Sequence, residues 1–128
     1  MFKPYYHQKA TKIPLYGGFL VVIFTNNKSK LSKYNIEVDE IYCHTQSGDY
    51  RKQNAVFVVF NFKHSNSKIT YGAVAHESLH ALNFIYKSRD VGLDVENDEH
   101  SAYLIDWISE TLHSLINKNG FKLHNKAF

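Results

Sequence analysis

The chain has 128 residues, of which 44% are hydrophobic, and its formal net charge at neutral pH is +3. This length and composition suit one globular domain with a single core, predicted over residues 1–128. The longest apolar runs, residues 19–24 and 55–60, are too short to cross a bilayer, and the chain begins without the apolar core of a signal peptide. We therefore expect no membrane partner. The single cysteine, Cys43, excludes an internal disulfide, so we also expect a reducing, cytoplasmic location.

The first half of the chain predicts strands. Residues 1–14 are expected to form an irregular lead-in arm, and the apolar run FLVVIFT at residues 19–25 predicts a strand buried on both faces. Residues 38–45 and 51–62 predict two further strands, separated by a turn at residues 46–49. Because the connections are short, a small sheet of about three mostly antiparallel strands is favoured.

The second half of the chain predicts two helices. The first covers residues 69–87 and ends towards Gly92. Its apolar positions at helical spacing allow it to pack on the sheet, and they are Val74, Leu79, Leu82, Ile85 and Tyr86. The second begins after Asn97 and runs to about residue 118, and residues 119–128 form a short tail. Its apolar stripe is expected to be buried and consists of Leu104, Trp107, Ile108, Leu112, Leu115 and Ile116. Strands followed by two main helices predict an α+β fold.

The first predicted helix carries the pentapeptide His76-Glu77-Ser78-Leu79-His80. Two histidines four positions apart lie about 40° from each other around a helix, so both imidazoles project from one face. This spacing suits a single zinc ion, and Glu77 lies where its carboxylate can reach a water molecule on the metal. We therefore predict one Zn²⁺ per chain, held by His76 and His80, with Glu77 as general base.

A catalytic zinc site has three protein ligands and one open position, so one further ligand is expected. Glu99 follows His80 after eighteen residues, at the start of the second predicted helix, and Asp94, Glu96 and Asp98 compete with it. The same residues could also occur without a metal site. A helix dipole favours carboxylates in a first turn whatever their function. A chain with 8 histidines also contains an accidental HExxH with a chance of roughly one in fifty.

The sequence HESLH followed, after eighteen residues, by a glutamate resembles the gluzincin pattern of zinc metallopeptidases. The small size, the strands before the motif and the segment NDEHSAYLIDWI are similar to the compact ImmA/IrrE-like peptidases and to minimal zincins of phages and mobile elements. The resemblance covers about residues 54–117. It implies a minimal zincin-like fold, zinc ligation by His76, His80 and Glu99, and proton transfer by Glu77.

One position departs from the gluzincin pattern. Many gluzincins carry an acid four residues after the glutamate ligand, where this chain has Tyr103, and Asp106 is the candidate replacement. Candidate donors to a developing oxyanion are Tyr71, His100 and Tyr103, with His113 a more distant possibility.

The resemblance implies a cytoplasmic zinc endopeptidase, rather than an exopeptidase, acting on a specific peptide or protein substrate. Such a substrate is expected to lie extended along residues 51–62 as a sheet edge. The alternative is a zinc-binding interaction or assembly module without turnover, which the missing acid at Tyr103 favours. A third hypothesis is a nucleic-acid binder that uses a basic patch. Lys28, Lys30 and Lys33, on a short helix or loop, would form it together with Lys63, His64 and Lys68, although a charge of +3 does not require such a partner.

Overall fold

The structure is a computed structural model that describes residues 3–37, 43–61 and 68–125. The chain separates into two compact units, residues 1–67 and 68–128, and each is described by itself. Strands dominate the first unit and helices the second, so the predicted α+β class is confirmed. In the described ranges, no helix is both long enough and apolar enough to span a membrane.

The first unit is built on a four-stranded mixed sheet with the strand order β1-β2-β4-β3. β1 (Tyr6–Lys12) is antiparallel to β2 (Phe19–Thr25), β2 is parallel to β4 (Gln53–Asn61), and β4 is antiparallel to β3 (Cys43–Tyr50). The sheet therefore has one strand more than predicted and a parallel central pair. The parallel pairing is possible because a 3₁₀ helix (Lys28–Tyr34) and β3 separate β2 from β4 along the chain.

β1 lies in the segment that we expected to be an irregular arm. It has no apolar run of its own, and its residues alternate between half-buried and exposed over much of its length. It forms a strand because it pairs along its whole length with the apolar β2, from Tyr6 opposite Thr25 to Lys12 opposite Phe19. Strand formation here depends on pairing with the next strand more than on local propensity.

The turn between β3 and β4 lies later in the chain than predicted. Residues 46–49 belong to β3, and the chain reverses at Arg51 and Lys52, whose φ angles are 50° and 63°. Gly48 suits a strand interior here because a Cβ at this position would lie 2.9 Å from Phe57 Cε2. Residues 38–42, the first part of the predicted second strand, lie outside the described residues.

β4 is a central strand, because it is hydrogen-bonded to β2 on one side and to β3 on the other. The expectation that residues 51–62 form an edge for an extended substrate is therefore wrong. In the described part of the sheet, the edge strands are β1 and β3. One buried core cluster of this unit combines alternate residues of β2 and β4 with residues from the connection after β2: Phe19, Val21, Ile23, Leu31, Ile36, Ala55, Phe57 and Val59.

The second unit contains the helices α1 (Tyr71–Ser88) and α2 (Glu99–Lys118), close to their predicted bounds. α1 begins where the Thr70 hydroxyl accepts a hydrogen bond from the Ala73 amide at 2.9 Å. It ends at Ser88, before Gly92, and Asp90 adopts a left-handed φ of 57° in the following turn.

A short parallel pair joins the two ends of the second unit. β5 (Ile69–Thr70) pairs with β6 (Leu123–His124), so part of the predicted tail is a strand. The predicted apolar stripe of α2 is buried at four positions, and these are Leu104, Ile108, Leu112 and Ile116. Trp107 and Leu115, which we also assigned to this stripe, are only half-buried.

Candidate metal site and neighbouring groove

His76 and His80 lie one turn apart on an exposed face of α1. Their Nε2 atoms are 3.1 Å apart, and the His76 side chain is 67% exposed. Two nitrogen lone pairs repel at this distance, so one imidazole donates an N–H hydrogen bond to the other. A tetrahedral zinc ion with Zn–N bonds of about 2.0–2.1 Å places two ligand nitrogens about 3.3 Å apart. The pair therefore fits two positions of a zinc coordination sphere.

Glu77 lies beside this histidine pair. Its Oε2 atom is 3.9 Å from His76 Nε2, and its side chain is only 7% exposed. Burial restricts the side chain to few rotamers, so the carboxylate stays near the imidazoles instead of extending into solvent. The structure thus brings together three of the predicted site residues, His76, Glu77 and His80.

Glu99 is not brought to the histidine pair. The Ser109 hydroxyl on α2 donates to Ser78 Oγ on α1 at 3.1 Å, which sets the register of the two antiparallel helices. Glu99 precedes Ser109 by ten residues on α2, and Ser88 follows Ser78 by ten residues on α1, so Glu99 lies at the level of Ser88. Ser88 is eight residues beyond His80, which corresponds to roughly 12 Å along the helix axis. In an antiparallel helix pair, the first turn of α2 lies beside the last turn of α1. The predicted ligand set would instead require the first turn of α2 to lie beside His80, about two turns before the end of α1.

The remaining candidate ligands lie in the loop before α2: Asp94, Glu96 and Asp98. They are at the same end of the hairpin as Glu99. Among the described residues, no three or more His, Cys, Asp or Glu side chains form a group that could hold a metal ion. His76 and His80 also lie about 160° around α1 from Ser78, which contacts α2, so the pair points away from α2. The described residues supply two of the three expected ligands.

The candidate oxyanion donors lie at separate places in the second unit. Tyr71 is half exposed at the first position of α1, and its ring is 6.1 Å from the ring of His113. The His100 ring stacks on Tyr86 at 5.9 Å, and the Tyr103 side chain is largely exposed on α2. These contacts are consistent with packing and surface roles.

Two of the lysines considered for nucleic-acid binding contact an aromatic ring in the first unit. The ammonium groups of Lys30 and Lys33 lie 5.9 Å and 5.3 Å from the centre of the Tyr6 ring. Such cation–π contacts stabilise a fold by about 0.5–1 kcal/mol at exposed sites. These two lysines therefore have a role in the fold that requires no nucleic acid. Lys63 and His64 of the same predicted patch lie outside the described residues.

A groove of about 610 Å³ lies between α1, the loop that follows it and α2. Asp106, the candidate orienting acid, lines this groove. So does Leu79, which we assigned to the apolar face of α1 and which is 47% exposed. One sequence signal could have revealed the groove. Residues 90–117 carry seven carboxylates and no lysine or arginine, an imbalance unusual for a merely solvated helix and loop.

Comparison with known proteins gives no match to a protein-family model, to a curated protein or to a solved structure. The function is therefore inferred from the chain's own side chains.

Proposed function

We propose that this protein is a zinc-dependent peptidase, with His76 and His80 as metal ligands and Glu77 as general base. The observation that carries the proposal is the 3.1 Å separation of the two Nε2 atoms, at one turn's spacing on an exposed helix face. A cation bound by both nitrogens would replace the hydrogen bond between them. Two imidazoles favour zinc over magnesium or calcium, which prefer oxygen ligands.

Each residue of the site has a distinct role in this proposal. A zinc ion at the pair would supply Lewis acidity towards a water molecule and a peptide carbonyl group. Glu77, with a carboxylate oxygen 3.9 Å from His76 Nε2, would accept the proton of the water and return it to the leaving amine. Because the His76 side chain is 67% exposed, an exposed segment of a partner protein suits this site, which favours an endopeptidase.

The test compares metal content with activity in four variants. The chain purified without added metal should contain about one zinc ion, and His76→Ala or His80→Ala should weaken binding at least about 100-fold, since even residues that only orient a ligand contribute 10- to 100-fold. Glu77→Gln should retain zinc and lose peptide cleavage. His124→Ala, a histidine outside the pair, should bind zinc normally. Failure of the parent chain to bind added zinc would refute the metal site.

The structure favours one second candidate, a zinc-dependent interaction module. The described residues supply only two ligands, and both belong to an exposed helix face, so a second molecule could provide the rest. This candidate predicts zinc-dependent association that chelation reverses and that His80→Ala abolishes, measured by sedimentation velocity. Glu77→Gln separates the two candidates, because association should survive this change whereas cleavage should not.

We also propose that the protein functions in a reducing compartment, as the cytoplasm provides. Cys43, the single cysteine of the chain, is buried at the start of β3. Burial on a strand is typical of a structural cysteine that stays reduced.

A further inference from the structure

The groove beside α2 has apolar walls that solvent reaches. The side chains of Leu79, Leu93 and Val95 line it and are 47%, 56% and 89% exposed. Adjoining aliphatic side chains exposed in this way are typical of surfaces that bind a partner. Because most of the Val95 surface lies outside the groove, a small molecule enclosed by the groove would leave that side chain in water. An occupant that covers Val95 extends beyond the groove and over the loop that precedes α2.

The rim of the groove is acidic. Asp94, Asp98 and Asp106 line it, and none of its described lining residues is a lysine or arginine. The Asp98 side chain makes no capping hydrogen bond to α2, and Asp94 accepts a local bond from the Glu96 amide at 3.0 Å. Carboxylates on both helix and loop around an apolar floor are complementary to a segment that carries both cations and aliphatic side chains.

We propose that this groove binds a cationic amphipathic helix of a partner protein. Its apolar positions, at helical spacing, would cover Leu79, Leu93 and Val95, while lysines or arginines would pair with the rim carboxylates. The α2 wall runs from Asp98 to Ser109, roughly 16 Å, which matches about three turns of a helix.

A helix suits the groove better than an extended segment. The described residues that line it come from α1, α2 and their connecting loop, so they offer no strand edge to pair with an incoming backbone. A helix satisfies its own amide and carbonyl groups, whereas an extended chain would bury some of them unpaired. The proposal does not rest on the metal site, because the groove lines the side of α1 that faces α2.

The experiment selects binders from a displayed library of random 16-residue peptides, using the full chain in EDTA. A triple variant, Asp94→Asn, Asp98→Asn and Asp106→Asn, is the comparison. We expect the enriched peptides to be basic, with apolar residues at i, i+3 or i+4, and i+7. The best of them should bind the triple variant about eightfold more weakly by fluorescence anisotropy, since each exposed ion pair contributes roughly a factor of two. Glu110→Gln, an exposed acid of α2 outside the groove, should leave binding unchanged.

The apolar contribution has its own variant. Leu93→Ser with Val95→Ser should weaken binding at both low and high salt, whereas Leu15→Ser, a fully exposed leucine of the first unit, should not. Enrichment of neutral or acidic peptides, no enrichment at all, or equal binding by the triple variant would overturn the proposal. Self-association of the chain that Val95→Asp abolishes would show that a second copy occupies the groove, which would also overturn it.

Discussion

Replacing Lys52 by glycine should stabilise the protein, although lysine-to-glycine changes usually destabilise. Arg51 and Lys52 form the two-residue turn between β3 and β4, both with left-handed φ angles. A left-handed conformation costs a residue with a side chain roughly 1–2 kcal/mol. Glycine removes this cost but adds back about 0.5–1 kcal/mol through the greater freedom of the unfolded chain. The net expectation for Lys52→Gly is a gain of up to about 1.5 kcal/mol in the free energy of unfolding, and of roughly 0.75 kcal/mol at the middle of both ranges.

Arg51 is left unchanged because its guanidinium lies 5.2 Å from the centre of the Tyr50 ring and contributes a contact of its own. The assay is urea unfolding followed by far-ultraviolet circular dichroism, with the midpoint and the slope fitted for each variant. Lys9→Gly, an exposed lysine in the middle of β1, is the matched control and should destabilise by about 0.5–1 kcal/mol. If Lys52→Gly loses as much stability as the control, the left-handed turn at Arg51 and Lys52 is refuted. The chain would then reverse at residues 46–49, as the sequence predicted.

Three further predictions concern zinc, pH and the helix core. Free zinc at a hundredfold excess over its Kd should raise the free energy of unfolding by about 2.7 kcal/mol. His80→Ala should abolish this increase. If zinc leaves the Tm of the parent chain unchanged, that result would argue against the site. Burial raises the pKa of Tyr5 and that of Tyr6 to about 12, the latter with a smaller contribution from Tyr34 and Tyr50. The native state therefore keeps protons that the unfolded chain releases above pH 10, so stability should fall from pH 10 to 12. Absorbance at 295 nm should show late ionisation that Tyr6→Phe reduces. Leu112→Ala, at a fully buried position of α2, should cost about 2–5 kcal/mol in thermal unfolding, and a loss below 1 kcal/mol would contradict its burial.

Several features of the fold follow from local patterns. The pentapeptide places His76 and His80 on one face because helix geometry depends only on spacing along the chain, and their 3.1 Å approach agrees with that expectation. The buried stripe of α2 and the burial of β2 follow in the same way, since an apolar side chain recurring at the period of its element identifies the covered face.

Tertiary contacts decided the remainder. β1 is a strand because β2 pairs with it, and Gly48 lies within β3 because the Phe57 ring leaves no room for a side chain. Glu99 is separated from the histidines because the register of α1 against α2 depends on the length of the loop and on contacts such as that between Ser78 and Ser109. The groove also arises from two helices and a loop that meet only in the folded unit. The sequence by itself determined the pair of imidazoles, because His76 and His80 are four positions apart in one helix. Which acids and apolar side chains surround them was decided by packing between elements, which spacing along the chain does not specify.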